Sequence, residues 1–418
     1  MARKALISGA GIAGPALAFW LAESGWEVTV VERADRLRTS GYPVDIRGTA
    51  AEVVDRMGLS ATVRAEQYRH VPVTVLSPAG RPLTRLDFGD VVNDASAGDI
   101  EITRGALTRI LYEAGEGKVD YVFGDTVTGL TQRDTGVEVT FRHRPAGTFD
   151  VVVGADGIHS RIRALAFGDE TRFLHHLGAC VAIWDQSSVP FPPGSAVLYS
   201  HPGRTAVVER PADADVARVF MPFAHPSPGS VDRHDRAAIT TELRRAFAGD
   251  RWRTAEFIDT LTDAEDVYFD TVSQVRMDRW STGRVVLVGD AAYAPAFLSG
   301  QGTSLAITGA YVLAGELVRY DDPHAAFDAY ERRLRGYVTS NQRLSLRADS
   351  LVLARTRVRL WRRNLALRSR PWLRRFGLDP VRDAELRAAA VDLELAAHDL
   401  RLISSPTTLC GKPTHPAM

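Results

Sequence analysis

The feature that most constrains the fold is a glycine-rich turn near the start of the chain. Residues 4–8 form a short apolar run typical of a buried strand, and Gly9, Gly11 and Gly14 follow with the spacing Gly-x-Gly-x-x-Gly. Apolar residues at helical spacing come next, and a second apolar run ends at Glu32. This order predicts a strand, a tight turn, a helix and a second strand, which is the opening unit of a Rossmann-like α/β fold.

Each of these residues has a physical task in binding a dinucleotide. Gly9 permits the tight turn, Gly11 lets the backbone approach a pyrophosphate, and Gly14 lets the helix pack closely on the strand. The helix N-terminus offers unpaired N–H groups to the phosphates. The Glu32 carboxylate suits the two hydroxyls of an adenosine ribose, and we predict that Arg33 beside it also contacts the cofactor. The unit predicts a site for FAD or NAD and does not distinguish between them.

Two later segments also place glycine and aspartate directly after a buried-strand pattern. Residues 151–153 are three valines and precede a Gly-Ala-Asp-Gly turn, and residues 285–288 precede a Gly-Asp pair. A carboxylate in such a turn can hold a ribityl or ribose hydroxyl. Residues 300–302 then open a predicted helix that extends to about residue 317, and its positive end can stabilise an anionic reduced flavin. The predicted cofactor contacts in these segments are Asp156, Gly157, Gly289, Asp290, Pro295, Gly300 and Gly302.

Together the three motifs resemble class A flavoprotein monooxygenases, the family of para-hydroxybenzoate hydroxylase. The most similar branch includes tetracycline-inactivating and polyketide-tailoring hydroxylases, and the resemblance extends from residue 4 to about residue 345. It implies bound FAD, NADPH or NADH as co-substrate, and O2. The reaction it implies is hydroxylation of an aromatic or polyketide-like small molecule through a flavin hydroperoxide, chemistry that the cofactor carries.

The resemblance also implies residue roles. The turn that contains Asp156, extended to Gly154, Ser160 and Arg163, would contact both flavin and nicotinamide. Arg104 would reach the FAD diphosphate. Asp45 and Arg47 lie in a loop that would pass the flavin and are candidate contacts to the cofactor or, for Arg47, to the substrate, with an ordinary loop ion pair as the alternative. Phe220 and Phe223 are candidate substrate contacts, with plain core packing as the alternative. We identify no catalytic base.

Two positions depart from the family pattern. Tyr293 stands where many relatives have histidine, and Thr308-Gly309 occupies positions where an acidic pair is frequent. Neither departure removes a residue predicted to hold the cofactor.

The scattered motifs require a discontinuous FAD-binding domain. Between about residues 178 and 225, short β-rich runs alternate with proline and glycine, which predicts a mainly antiparallel sheet. Strands near residues 71–76 and 83–88 are expected to join it. The predicted FAD-binding domain comprises residues 1–70, 100–172 and 272–335, the β-rich substrate domain 71–99 and 173–271, and the C-terminal helical segment 336–418.

The segment 355–375 has nine arginines interleaved with apolar residues. One interpretation is an amphipathic helix for an anionic membrane or partner. The interpretation we favour is a helix that packs its apolar face on the body of the protein and leaves its arginines in solvent or paired with nearby acids.

Composition restricts the remaining function classes. The chain has 51 basic and 51 acidic residues, and this balance does not favour nucleic acid. Two cysteines far apart predict neither a disulfide framework nor a metal site. The chain shows no leader and no membrane span, so we expect a cytoplasmic monomer or weak dimer. Two alternatives remain: Baeyer–Villiger or ring-cleaving oxygenation, and a flavin-retaining ligand-binding protein. A halogenase is disfavoured because this sequence lacks the Trp-x-Trp segment that halogenases usually carry.

Overall fold

The computed structural model describes residues 2–38, 41–69, 71–86, 99–227, 231–374 and 393. The predicted helix start at Asp379 and the second cysteine, Cys410, lie outside this part of the chain. The strands of the described part, numbered in chain order, are β1 (Lys4–Ser8), β2 (Glu27–Glu32), β3 (Pro43–Ile46), β4 (Val73–Leu76), β5 (Pro82–Leu86), β6 (Ile100–Thr103), β7 (Val119–Phe123), β8 (Val127–Arg133), β9 (Gly136–Phe141), β10 (Gly147–Phe149), β11 (Val151–Gly154), β12 (Leu174–Gln186), β13 (Ser195–His201), β14 (Arg204–Arg210), β15 (Ala217–Ala224), β16 (Val267–Val275), β17 (Ser281–Thr282) and β18 (Val285–Leu287).

Helices connect and cover these strands. The α-helices of the described part are α1 (Ala13–Glu23), α2 (Thr49–Arg56), α3 (Ser60–Ala65), α4 (Arg104–Ala114), α5 (Arg161–Phe167), α6 (Arg236–Ala246), α7 (Thr254–Asp259), α8 (Asp290–Tyr293), α9 (Gly302–Arg319), α10 (Pro323–Val352) and α11 (Arg357–Arg374).

A six-stranded sheet carries the glycine-rich turns. Its strand order is β17-β18-β11-β1-β2-β7, and every pair is parallel except β17 with β18. The valines of β11 and β18 are fully buried, as expected of central parallel strands covered on both faces. Helix α9 packs against α1 and α10. The parallel sheet confirms the predicted α/β fold class with its Rossmann-like unit.

A seven-stranded sheet forms the second layer, in the order β16-β12-β15-β14-β13-β4-β5. All its pairs are antiparallel except β13 with β4. Strands β4 and β5 come from the predicted 71–76 and 83–88 runs and join this sheet, although residues 87 and 88 lie outside the described part. Helices α6 and α7 cover one face with a cluster that includes Phe223, Ile239 and Phe257. The other face is left to form a cavity wall.

The two positions that depart from the family pattern pack against each other. Tyr293 is fully buried at the end of α8, and its hydroxyl oxygen lies 3.0 Å from that of Tyr330. A Cβ atom added at Gly309 on α9 would lie 1.9 Å from the Tyr293 hydroxyl. The larger ring at position 293 therefore fits because position 309 has no side chain.

The C-terminal part of the described chain is helical, as predicted. Helices α10 and α11 are joined by residues 353–356, in which Leu353 and Ala354 are buried. The Arg355 guanidinium donates to the carbonyl oxygens of Gly178 and Leu177 at 2.9 and 2.8 Å and so fixes this junction on β12. No helix among the described residues has the length and apolar character needed to cross a membrane.

The packing of Tyr293 on Gly309 gives a stability prediction. We expect Gly309→Ala to lower the free energy of unfolding by about 1–3 kcal/mol, because the new methyl group overlaps the tyrosine hydroxyl. Adding Tyr293→Phe should restore part of this loss, and urea unfolding of both single variants and the double variant measures the coupling.

The matched control is Gly336→Ala on the exposed side of α10, where no atom lies within 4 Å of the added Cβ. It should be neutral or stabilising by up to about 1 kcal/mol. Additive effects of Gly309→Ala and Tyr293→Phe would contradict the packing described here.

Candidate active site

The three glycine-rich turns meet at one edge of the parallel sheet. Ser8, at the end of β1, is paired with Gly154 on β11, and Gly154 is paired with Leu287 on β18. The turns that follow these strands therefore start side by side. They line a single cavity of about 750 Å³ that also touches the seven-stranded sheet. Ligands of open α/β sheets bind at this edge, beyond the carboxyl ends of the strands.

Backbone packing in the first turn requires glycine at two positions. Gly9 has φ +109°, and a Cβ there would lie 2.6 Å from the carbonyl oxygen of Ala155. A Cβ at Gly14 would lie 1.9 Å from the carbonyl oxygen of Gly9, so α1 packs directly on the turn. Gly14 thus supports the cavity from behind and does not line it. Gly11 does line it, and the nearest atom to its added Cβ is an Arg104 guanidinium nitrogen at 3.8 Å.

Glu32 and Arg33 line the cavity where β2 ends. The Glu32 carboxylate accepts hydrogen bonds from the backbone N–H groups of Ala10 at 2.9 Å and Ala34 at 3.0 Å. These two contacts attach the glycine turn to the end of the neighbouring strand and hold the carboxylate in place. The same carboxylate therefore organises the turn and faces the cavity.

Arg104 lines the cavity next to Gly11. It begins α4 directly after β6, and its backbone N–H donates to the Tyr42 carbonyl oxygen at 2.9 Å. The Thr103 hydroxyl caps the helix by accepting from the Ala106 N–H at 3.3 Å. This cap and the β3–β6 pairing hold the guanidinium beside the glycine turn, the place where a pyrophosphate would need positive charge.

The turn after β11 is built differently from the prediction. Asp156 and Gly157 line the cavity, but the Asp156 carboxylate accepts from the Ser160 hydroxyl and from the N–H groups of Arg161 at 2.7 Å and Ile162 at 3.1 Å. These bonds hold the first turn of α5, whose N-cap residue is Ser160. Gly154, Ser160 and Arg163, also predicted to contact the coenzymes, do not line the cavity.

Arg163 instead fixes the third turn from below. Its guanidinium is fully buried and donates to the carbonyl oxygen of Ala291 at 2.9 Å and to that of Ile158. A buried, always charged side chain with carbonyl partners is a structural element that joins two turns of the site.

The third turn brings a carboxylate to the start of α9. Asp290 is exposed to the cavity, and a Cβ at Gly302 would lie 3.6 Å from its Oδ1. Pro295 and Gly300 also line the cavity, whereas Gly289 does not. Gly289 has φ +65° and contacts α1, since an added Cβ would lie 3.0 Å from the Ala13 Cβ. Gly289 therefore allows the close approach that places Asp290.

Asp45 is a buried carboxyl group in the cavity wall. Its Oδ2 lies 2.9 Å from an Arg47 guanidinium nitrogen, and an added Cβ at Gly300 would lie 2.9 Å from the same oxygen. Burial, together with the facing carboxylate of Glu101, its register partner across β3 and β6, raises the pKa of Asp45 to about 6 despite the attraction of Arg47. Arg47, a predicted substrate contact, does not line the cavity and is the ion-pair partner of Asp45.

Four aromatic rings line a further part of the cavity wall. Tyr42 lies 4.9 Å from Phe297 between ring centroids, Tyr268 lies 5.4 Å from Phe297, and Phe220 lies 6.2 Å from it. All four line the cavity. Sequence analysis identified only Phe220; the position of Tyr268 in a strand and of Phe297 after Pro295 carried no distinguishing signal.

Phe223, a candidate substrate contact, lies in the core and not in the cavity wall. Phe223 is fully buried under α6 and α7 on the other face of β15. Side chains three residues apart in a strand point to opposite faces, so Phe220 and Phe223 cannot both face the cavity.

His159 also lines the cavity. Its Nδ1 lies 3.1 Å from a carboxylate oxygen of Glu170, and its Nε2 lies 3.1 Å from one of Asp270 in β16. This contact links the turn after β11 to the seven-stranded sheet. Among the residues that the structure describes, no group of three or more histidine, cysteine or acidic side chains could bind a metal.

Comparisons with known proteins agree with this site. A family model described as an FAD binding domain matches residues 3–341. An uncharacterized protein of Mycobacterium tuberculosis is 38% identical over 345 residues, covering 81% of this chain and 92% of the relative. A flavin-dependent monooxygenase from an unknown prokaryotic organism is 34% identical, covering 84% and 91%. The crystal structure of the tetracycline destructase Tet(51) superimposes with a TM-score of 0.81 at 29% identity, covering 94% of this chain and 99% of that one.

Glu32 gives a cofactor-binding prediction. Glu32→Ala should weaken FAD binding about tenfold to a hundredfold, since charge-assisted hydrogen bonds contribute about 1.5–3 kcal/mol. Titration of apoprotein with FAD, followed by flavin fluorescence, measures the change. Glu27→Ala, at the far end of the same strand where Glu27 pairs with Lys4 at 3.1 Å, is the control and should bind FAD normally. Equal affinities in the two variants would show that Glu32 only organises the turn.

Asp45 gives a pH prediction. The raised pKa means that the folded state favours protonated Asp45, so this group stabilises the fold at low pH and loses that contribution as pH rises toward and through about 6. Asp45→Asn removes this dependence. The unfolding free energy of the apoprotein variant relative to wild type should therefore increase between about pH 4 and 7, by up to about 3 kcal/mol. Urea unfolding across this range measures it. The exposed Asp134→Asn should show no such slope, and parallel wild-type and Asp45→Asn curves would contradict the assignment.

Proposed function

Because the chain belongs to the FAD-binding class A flavin monooxygenases, we propose that it hydroxylates an aromatic or polyketide-like small molecule with NADPH or NADH and O2. The proposal rests on the observation that the residues expected to hold FAD and the aromatic residues expected to contact the substrate line the same cavity. One cavity is lined both by the glycine turns with Glu32 and Arg104 and by a cluster of aromatic rings. A flavin and a planar substrate can therefore lie in contact without leaving the protein.

The residues present fit FAD. Gly11 offers uncovered backbone, Arg104 supplies positive charge beside it, and Glu32 presents a fixed carboxylate at the end of β2. Asp290 faces the cavity at the third turn, where it would hold the ribityl chain. The start of α9 would face the flavin ring, and its amide dipoles would favour negative charge there. Bound FAD supplies the redox chemistry that activates O2.

The chain's own contribution is binding, orientation and exclusion of water. Tyr42, Tyr268 and Phe297 form a dry wall next to Pro295, and burial raises the pKa of the Tyr42 and Tyr268 hydroxyls, so both remain protonated donors at neutral pH. Phe220 extends this wall along the sheet. Hydroxyl donors in an aromatic wall suit a planar ring system that bears carbonyl or phenol oxygens.

The extent of the cavity supports a substrate larger than a single ring. Beyond the aromatic wall the cavity reaches Glu209 and Arg218, and Arg218 forms a two-point ion pair with Asp185 at 2.8 and 2.9 Å. An elongated molecule could span both regions. The likeness to a tetracycline destructase favours polycyclic polyketides as the first compounds to test.

The deciding experiment measures turnover with candidate compounds. Phenols, quinones and polycyclic polyketides are screened for stimulated NADPH or NADH oxidation, and products are analysed by mass spectrometry for the gain of one oxygen atom, with peroxide measured in parallel. Hydroxylation is distinguished from Baeyer–Villiger or ring-cleaving oxygenation by product structure. Ligand binding without oxidation of either nicotinamide would favour the ligand-binding alternative and contradict the proposal.

Phe220 and Phe223 give a matched pair of variants for this assay. Phe220→Leu should raise the KM of an identified substrate about tenfold or less, as expected for lost aromatic contact, and leave FAD content and stability nearly unchanged. Phe223→Leu, on the opposite face of the same strand, should lower stability with little effect on KM. The reverse result would place the substrate on the other side of the sheet.

A further inference from the structure

Helix α11 carries an apolar stripe that faces away from the protein. Among the described residues, five large apolar side chains are exposed, and three of them lie on this helix: Val358 at 66%, Trp361 at 64% and Leu365 at 48%. Their spacing of three and four residues places them on one face, within about 60° of one another around the helix axis. No other described helix presents more than one such side chain to solvent.

The opposite face of α11 is packed on the body of the protein. Leu360 and Leu367 are buried, and Leu367 packs with Val75 and Leu86 of the seven-stranded sheet. The helix therefore has two apolar faces, and only one of them is covered by residues that the structure describes. The interpretation favoured from the sequence, in which the apolar face packs on the body, holds for this inner face alone.

Charge on α11 has one sign. Its sequence contains seven arginines and no acidic residue. Arg357, Arg359, Arg362 and Arg368 are exposed, and none of them forms an ion pair with any carboxylate in the described part of the chain. By ideal helix geometry, Arg357 and Arg368 lie on one side of the stripe and Arg362 on the other. An exposed apolar stripe bordered by arginines is typical of helices that lie in a membrane interface.

We propose that α11 binds the surface of an anionic phospholipid membrane, with Val358, Trp361 and Leu365 in the acyl boundary and the arginines on the headgroup phosphates. Each arginine near an anionic surface adds electrostatic attraction, and a tryptophan suits the interface between apolar and wet regions. The same charge disfavours a second copy on this face, because two such helices would bring fourteen arginines together without acids.

The position of α11 relates this surface to the cavity. Val75 on β4 is paired with Leu198 on β13, and both lie in the cluster that holds Leu367. Two residues earlier on the same strands and on the same face, Val73 and Ala196 line the cavity. A membrane bound at α11 would therefore lie close to the cavity wall, where an apolar aromatic compound dissolved in lipid is concentrated.

Vesicle flotation tests the proposal with the full-length, FAD-loaded protein. Vesicles of equal parts phosphatidylglycerol and phosphatidylcholine are compared with vesicles of phosphatidylcholine alone, at low and high salt. We expect flotation with the anionic vesicles only, and weaker flotation at high salt. The triple variant Val358→Ser, Trp361→Ser, Leu365→Ser should lower the partition coefficient by about tenfold or more.

A second triple variant tests the electrostatic contribution, and a single variant serves as the control. The variant that combines Arg357→Gln, Arg362→Gln and Arg368→Gln should bind vesicles more weakly and with a smaller salt dependence. Leu346→Ser removes a side chain on α10 that is 49% exposed, nearly the same as Leu365, and should bind like wild type. Thermal unfolding and FAD content are expected to stay unchanged in all three, because the altered side chains are in solvent.

Three outcomes would overturn the proposal. The first is absence of flotation, or equal flotation of wild type and the apolar triple variant. The second is a dimer in light scattering that the triple variant converts to a monomer, which would assign the stripe to a second copy. The third is that acrylamide fails to quench the fluorescence of Trp361 in the absence of vesicles. The Trp361 signal is obtained by subtracting the spectrum of the Trp361→Phe variant. A failure to quench would assign the stripe to the chain's own segment 375–418, which contains six acidic residues between 379 and 399.

Discussion

Backbone crowding at the carboxyl ends of three parallel strands is the constraint on which the rest of the structure depends. At Gly9, Gly14 and Gly289 an added Cβ would lie 2.6, 1.9 and 3.0 Å from the nearest atom of a neighbouring turn or helix. Only glycine permits approaches this close, and two of the three also have positive φ. Because of this crowding, three turns and the start of α1 present backbone groups to the same cavity. The cavity is therefore a consequence of how tightly the sheet edge is packed.

Contacts between separate elements complete this cavity. The Asp45–Arg47 pair is held to α9 through Ser304, whose hydroxyl donates to the Asp45 carbonyl oxygen at 3.3 Å and accepts from the Arg47 N–H at 3.1 Å. His159 connects the second turn to Asp270 in the seven-stranded sheet. These contacts cross between layers and fix the aromatic wall relative to the glycine turns. A flavin and its substrate need such fixed relative positions, because oxygen transfer requires the reacting atoms to be held in contact.

The Tyr293–Gly309 contact supports the third turn from beneath. Tyr293 occupies a fully buried site, and Gly309 on the next helix leaves the volume that the tyrosine hydroxyl fills. Cores tolerate a large residue where a neighbouring position is small, because the total volume is conserved. The two residues together hold the turn that contains Asp290 and Pro295.

Sequence alone determined the elements that depend on local constraints. The glycine spacing, the valine runs and the Gly-Asp turn identified the parallel sheet, the strand ends that form the cavity and the family, because tight turns and buried strands restrict which residues can stand at each position. The β-rich runs between residues 178 and 225 became strands β12 to β15 for the same reason. Tertiary structure alone decided which side chains share the cavity. It placed Phe220 inside and Phe223 outside, turned the Asp156 carboxylate toward its own helix, drew His159 between two carboxylates, and left half of the apolar surface of α11 uncovered. Each of these depends on which distant element packs against a given face, and periodicity within a segment describes its faces without naming their partners.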